Sequence, residues 1–214
     1  MMKTAIVTLL LFTGTELVAQ SKTAINYLNQ KSPGLIAEVF APGLISTGLS
    51  EHSAPAFSPD GNTVIWTVMD KSYRGYLLEM RNENGKWSKP SSPSFADTTA
   101  DDYYASFSID GRKLYFSSRR KMPAGYTQGK DICIWEVERK KNGWGKPVPF
   151  DTTVSKGQDY AHSVSEKGTL YFSSALGGGT NMNIRKSEKT TGLISNQFYF
   201  LSISTAWTMR MVHI

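Results

Sequence analysis

Ala56-Phe57-Ser58-Pro59-Asp60-Gly61-Asn62-Thr63-Val64-Ile65-Trp66 comes back fifty residues later as Ser106-Phe107-Ser108-Ile109-Asp110-Gly111-Arg112-Lys113-Leu114-Tyr115-Phe116. A looser copy follows at Ser163-Val164-Ser165-Glu166-Lys167-Gly168-Thr169-Leu170-Tyr171-Phe172. Each copy is a short apolar run, a tight turn and a second run of β-branched and aromatic residues. Pro59 presets the φ that the second position of a type I turn needs, Asp60 suits the third, and Gly61 accepts the positive φ that follows. The unit is a β-hairpin closed by a glycine bulge, and its repetition predicts a repeated β-sheet module.

Working outward, Ala54 to Ser58 and Thr63 to Met69 read as the first two strands of a unit, Gly75 to Arg81 as the third and Trp87 to Phe95 as the fourth. The second unit repeats this order with Tyr104 to Ser108, Lys113 to Arg119, Asp131 to Glu138 and Trp144 to Phe150. Asn84-Gly85-Lys86-Trp87-Ser88-Lys89-Pro90 also matches Asn142-Gly143-Trp144-Gly145-Lys146-Pro147. The step from Phe107 to Val164 is 57 residues, and the added length sits in the loop Lys121 to Gly129. The third unit begins at Asp159 and continues through Gly177-Gly178-Gly179 into Asn181 to Ser187. Beyond residue 190 the landmarks stop. The tail 191–214 reads either as a diverged final strand or as a chain leaving the repeat, by truncation or by a change of reading frame.

The expected organisation is an export signal over 1–19, a lead-in over 20–32 and repeats over 33–190. The units span about 52–95, 102–150 and 159–190, with 35–47 as a strand of last-blade type. Ile45 stands twelve residues before Phe57, as Phe95 stands twelve before Phe107, which is the reason for that assignment. Met1-Met2-Lys3 is a basic start, Ala5 to Phe12 an apolar run of signal length, and Leu17-Val18-Ala19 a small-residue cleavage site ahead of Gln20. The run is too short for a membrane anchor. Export to the periplasm, the outer surface or the medium follows.

Net charge is +6 with an isoelectric point near 9.3, yet the densest basic runs, Arg119-Arg120-Lys121 and Arg139-Lys140-Lys141, fall at strand ends and turns. They read as solvated surface, not as a nucleic-acid patch. Cys133 is the single cysteine, so the chain has no internal disulfide.

The repeats resemble the WD40-like propeller repeat of TolB-type periplasmic proteins and of related exported propellers of the bacterial envelope. The landmarks are Phe57-Ser58-Pro59-Asp60-Gly61, Phe107-Ser108-Ile109-Asp110-Gly111, Leu114-Tyr115-Phe116-Ser117-Ser118-Arg119, Leu170-Tyr171-Phe172-Ser173-Ser174 and Asp131-Ile132-Cys133-Ile134. The resemblance implies an all-β fold of four-stranded antiparallel β-propeller blades. About three are present, fewer than the four to eight that close a ring. An incomplete ring leaves open sheet edges through which copies self-associate.

No catalytic framework is legible. The chain lacks a nucleophile elbow, its histidines His52, His162 and His213 lack metal-ligand spacing, and its triple glycine lacks the Lys-Ser/Thr of a phosphate loop. No cofactor and no metal is expected. His52, Asp102 and Asp159 each stand five residues before the apolar landmark of their unit, and Tyr103 and Tyr160 follow the two aspartates. At the start of innermost strands these five residues would line one mouth of the channel and hydrogen-bond a protein, peptide or glycan. The structural alternative is that the aspartates cap the turns between blades. Trp87 and Trp144 read as packing between blades rather than as a sugar platform. The expected function is a non-enzymatic exported scaffold that binds an envelope partner. The alternative is the propeller portion of an exported peptidase or polysaccharide lyase whose catalytic part lies outside this sequence.

Overall fold

The computed structural model describes residues 28–32, 34–126, 131–150, 158–175, 181–188 and 198–199. The export segment 1–19, the glycines 177–179, His213 and all of the tail except 198–199 lie outside the described residues.

Three antiparallel sheets follow one another along the chain. The first holds β1 (Ser50–Glu51), β2 (Ala56–Phe57), β3 (Thr63–Met69), β4 (Gly75–Glu83) and β5 (Lys86–Trp87). The second holds β6 (Asp102–Phe107), β7 (Lys113–Ser118), β8 (Cys133–Lys140), β9 (Gly143–Trp144) and β10 (Val148–Pro149). The third holds β11 (Asp159–Val164), β12 (Thr169–Ser174), β13 (Asn183–Glu188) and β14 (Phe198–Tyr199). In each sheet an innermost strand pairs with the second, the second with the third and the third with a short outer strand, so each sheet is a propeller blade. β1 and β2 are two halves of one innermost strand, separated around Pro55, which has no N–H to donate to a ladder. β14 pairs with β13 at Arg185 and Lys186, so Phe198–Tyr199 occupies the outer-strand position of the third blade.

The hairpin turns form as their residues dictate. Gly61, Gly111 and Gly168 have φ of 70°, 67° and 80°. Their amides donate to Ser58, Ser108 and Ser165 carbonyls at 2.8, 2.8 and 2.9 Å. Ser58 and Ser108 tighten the turn further by hydrogen bonding Asp60 and Asp110.

The second and third strands of blade 2 are apolar on both faces, because that blade packs against blade 1 on one side and blade 3 on the other. Alternation along a strand sends Leu114 and Phe116 to the trailing face, toward the preceding blade, and Tyr115 to the leading face, toward the next. Ile65 and Leu77 on the leading face of blade 1 pack with Leu114, Phe116, Cys133 and Trp135 of blade 2. Tyr115 and Ile134 on the leading face of blade 2 pack with Leu170 and Phe172 of blade 3. Phe116 and Phe172 are almost wholly buried, and each contributes about 1.5–3 kcal/mol by leaving water. Cys133 is buried within this packing. Trp144 joins it between blades and donates its indole N–H to Glu79 of blade 1 at 2.8 Å, as the sequence suggests for a packing residue.

Residues 35–47 correct an expectation: they form no strand. A last-blade strand needs the third strand of its own blade as ladder partner, and no described strand offers that edge. Ala41 takes a φ of 45° and accepts the amides of Leu44 and Ile45, so the segment turns back on itself. Phe40, Ala41, Leu44 and Ile45, together with Leu28, then cover Val64, Trp66 and Met80. The segment is a cap over the trailing face of blade 1.

Candidate functional site

The chain starts its innermost strands at one end of the blades, opposite the Ser-x-Asp-Gly turns. β6 and β11 share one irregularity there. Two residues of β6, Tyr104 and Ala105, stand opposite the single residue Phe116, and β11 repeats this with Ala161 and His162 opposite Phe172. The bulged residues Tyr104 and Ala161 have φ of 54° and 46°, values that L-residues with a Cβ rarely adopt. The bulge frees the Tyr104 amide from its own ladder, and it donates to Thr67 Oγ1 of blade 1 at 3.0 Å. Ser117, at the corresponding place in blade 2, donates to the Asp159 carbonyl of blade 3 at 2.9 Å. The second strands of blades 1 and 2 thus each hold the next innermost strand by a hydroxyl.

The bulge also turns the Tyr104 ring into the mouth. Its hydroxyl and His52 Nε2 share a 2.9 Å hydrogen bond, and the two rings stand 5.3 Å apart. Tyr104 meets Tyr160 of blade 3 edge-on at 5.9 Å. Tyr103 lies beneath, 5.9 Å from His52, with its hydroxyl donating to the Tyr73 carbonyl. The Tyr103 ring sits where a side chain of residue 75 would be: a Cβ on Gly75 would meet it at 2.0 Å. His52, Tyr103, Tyr104 and Tyr160 therefore form one aromatic track across three blades. Burial raises the Tyr103, Tyr104 and Tyr160 phenols above their usual range, so at neutral pH they remain hydroxyl donors.

Beside the track runs a chain of charges. Arg74 meets Asp101 at 3.4 Å, Asp101 meets Arg119 at 4.0 Å, and Arg119 meets Asp131 at 3.4 Å. These pairs are solvent-exposed and individually contribute little stability. They give the mouth a mixed, patterned surface.

Asp102 and Asp159 are placed differently from their tyrosine neighbours. Both are buried, at 2% and 0% exposure. Asp102 meets Arg120 at 2.7 Å, and the Arg120 guanidinium lies over the Phe116 and Trp135 rings. Burial pushes the Asp102 carboxyl above its usual range, while Arg120 and Ser118 oppose the shift. The Asp159 amide donates to the Ile132 carbonyl. Neither carboxylate reaches the mouth; Asp102 ties the start of β6 to Arg120, and Asp159 is buried at the start of β11. The acidic groups that face solvent are Asp101 and Asp131.

The structure brings His52, Tyr103 and Tyr160 into one cluster of rings, with Tyr103 buried, and adds Tyr104, which the sequence reading did not name. Its signal was present as the second tyrosine of Asp-Asp-Tyr-Tyr, but only the bulge sets its ring beside His52 while Tyr103 is buried. Among the described residues no group of His, Cys, Asp and Glu is arranged to hold a metal ion, and no helix is long and apolar enough to cross a membrane.

No protein family and no curated protein matches this chain. The crystal structure of TolB from Acinetobacter baumannii is similar to it at 20% identity and a TM-score of 0.45, covering 71% of this chain and 33% of that one. A TolB structure from Agrobacterium tumefaciens is similar at 17% identity and a TM-score of 0.45, covering 72% of this chain and 55% of that one. The chain spans about a third of the first and about half of the second. Its own three sheets, among the described residues, establish an all-β array of propeller blades with the ring incomplete, and TolB structures are among the solved structures it resembles.

Proposed function

We propose that this chain is an exported, non-enzymatic β-propeller scaffold that binds a protein or peptide partner of the cell envelope at the mouth lined by His52, Tyr104 and Tyr160, with Tyr103 buried beneath them. The observation that carries the reading is the aromatic track, which runs unbroken from blade 1 to blade 3 with charges alongside. Rigid tyrosines offer contact area and a hydroxyl donor at little cost in side-chain entropy, and arginines beside them match acidic groups and carbonyls. Asp102, paired with Arg120, holds the start of β6 from below. Trp144, engaged between blades, is not free to act as a sugar platform. Export rests on residues 1–19.

The test is to pan a random peptide library against the purified chain from Gln20 onward. Selected peptides are then titrated against Tyr104→Ala and His52→Ala, with thermal melting as the folding control. Loss of a central tyrosine should weaken binding about 30-fold with the melting transition retained. Peptides that bind both variants as tightly as the parent chain, or a chain that selects glycans and no peptide, would overturn the proposal.

A further inference from the structure

Two crevices lie between the blades at the end where the Ser-x-Asp-Gly turns stand, and the described residues fill them unequally. The crevice between blades 1 and 2 is occupied from within. Trp144 of β9 reaches back to blade 1 and donates its indole N–H to Glu79 at 2.8 Å. Its ring meets Phe95 edge-on at 5.7 Å and Phe107 at 6.0 Å, and Arg81 pairs with the same Glu79 at 3.0 Å. The space left at the turns there, lined by Pro59, Asp60, Asp110, Gly111, Arg112 and Arg139, is about 290 Å³.

Strand register carries the walls of this slot over to the crevice between blades 2 and 3. Ile65 pairs with Glu79 as Tyr115 pairs with Glu136, and Thr63 with Arg81 as Lys113 with Glu138. The buried Glu136 therefore stands where Glu79 stands, and Lys113 meets it at 3.0 Å as Arg81 meets Glu79. Phe107 pairs with Leu114 as Val164 pairs with Leu170, so the small Val164 stands where Phe107 stands. The third unit reads Thr191-Gly192-Leu193 where the second reads Asn142-Gly143-Trp144. Among the described residues no side chain takes the place of the indole, and an open crevice of about 710 Å³ results. Lys113, Tyr115, Glu138 and Val164 line it, and the turn residues Arg112 and Lys167 stand at its edge.

We propose that this crevice takes a tryptophan side chain from a partner protein, with Glu136 accepting the indole N–H and Tyr115 and Val164 packing on the ring. Trp144 shows in the neighbouring crevice what such walls hold. A buried indole needs an acceptor for its N–H, and a carboxylate can serve a cation and an indole together, as Glu79 does. A tryptophan seated in a closed-walled slot is the kind of anchor that dominates a protein interface. The crevice lies at the opposite end of the blades from the aromatic mouth and does not depend on it.

The experiment is saturation-transfer NMR on the chain from Gln20 onward, with N-acetyltryptophanamide as the probe beside its N1-methylated form and N-acetylleucinamide. The variants are Val164→Trp, which fills the crevice from inside, Tyr104→Ala at the mouth, and Trp207→Phe. Each is checked by circular dichroism and thermal melting. The expected result is transfer to the indole protons that Val164→Trp abolishes and Tyr104→Ala leaves unchanged. Methylation of N1 should weaken binding about tenfold, the size of one lost hydrogen bond. The methylated probe decides the matter if Val164→Trp does not fold. No transfer, equal transfer to the leucine probe, indifference to N1-methylation or loss in Tyr104→Ala would overturn the proposal. So would stronger binding in Trp207→Phe, since the chain's own tryptophan would then be the occupant.

Discussion

His162 shows how little a residue's identity says about its role until its surroundings are known. It is a mid-strand histidine of β11, sharing a 2.7 Å hydrogen bond with Ser106 of blade 2 through Nδ1. Its Nε2 has no hydrogen-bond partner among the described residues. Burial pushes the ring down to about 3, so it stays neutral in the folded chain well into acid. The unfolded chain protonates near pH 6.5. Between these values the unfolded state holds the extra proton, so stability is undiminished above pH 6.5 and falls as pH drops toward 3, by up to about 1.4 kcal/mol per pH unit. Urea denaturation at pH 7, 5 and 4 should show this loss in the parent chain and a shallower one in His162→Phe. Equal slopes for the two proteins would show that other groups govern the acid limb.

At the scale of elements, the hairpin and the bulge are opposite cases. The hairpin is written in the chain: Ser-Pro-Asp-Gly sets the turn and glycine takes the positive φ. The bulge is not, since nothing in Tyr103-Tyr104-Ala105-Ser106 marks an interrupted ladder. It forms because the Tyr104 amide gains Thr67 of blade 1 and the ring gains His52, contacts that exist only after two blades meet. The backbone therefore holds Tyr104 at a φ of 54° against its preference. Tyr104→Ala and Tyr104→Gly both delete the ring, but only glycine relaxes the backbone. The glycine variant should be more stable than the alanine variant by about 1–2 kcal/mol in urea denaturation. An alanine variant of equal or greater stability would mean that the bulge relaxes once the ring is gone.

At the scale of the whole fold the described residues form a row of blades, each held by what packs on its faces. The trailing end is capped by residues 28–46, which cover Val64, Trp66 and Met80. Removing the chain up to Thr47 uncovers them, and should cost more than about 3 kcal/mol and shift tryptophan emission to the red as Trp66 meets water. Unchanged emission and an unchanged urea midpoint would show that the cap is dispensable. Local sequence alone determined the repeated unit: turn chemistry, strand alternation and the Asn-Gly landmarks each act over a few residues, so an all-β array of three blades could be read without a partner in sight. Tertiary structure decided what those short-range rules cannot reach. It decided that Asp102 turns inward to Arg120 while Tyr104 turns out to His52. It made residues 35–47 a cap, because a strand forms only where a neighbouring strand offers a ladder. And it buried Tyr115 and Ile134 of blade 2 while leaving their counterparts Tyr171 and Ile184 of blade 3 partly exposed, since burial belongs to pairs of surfaces and not to the residues that make up one of them.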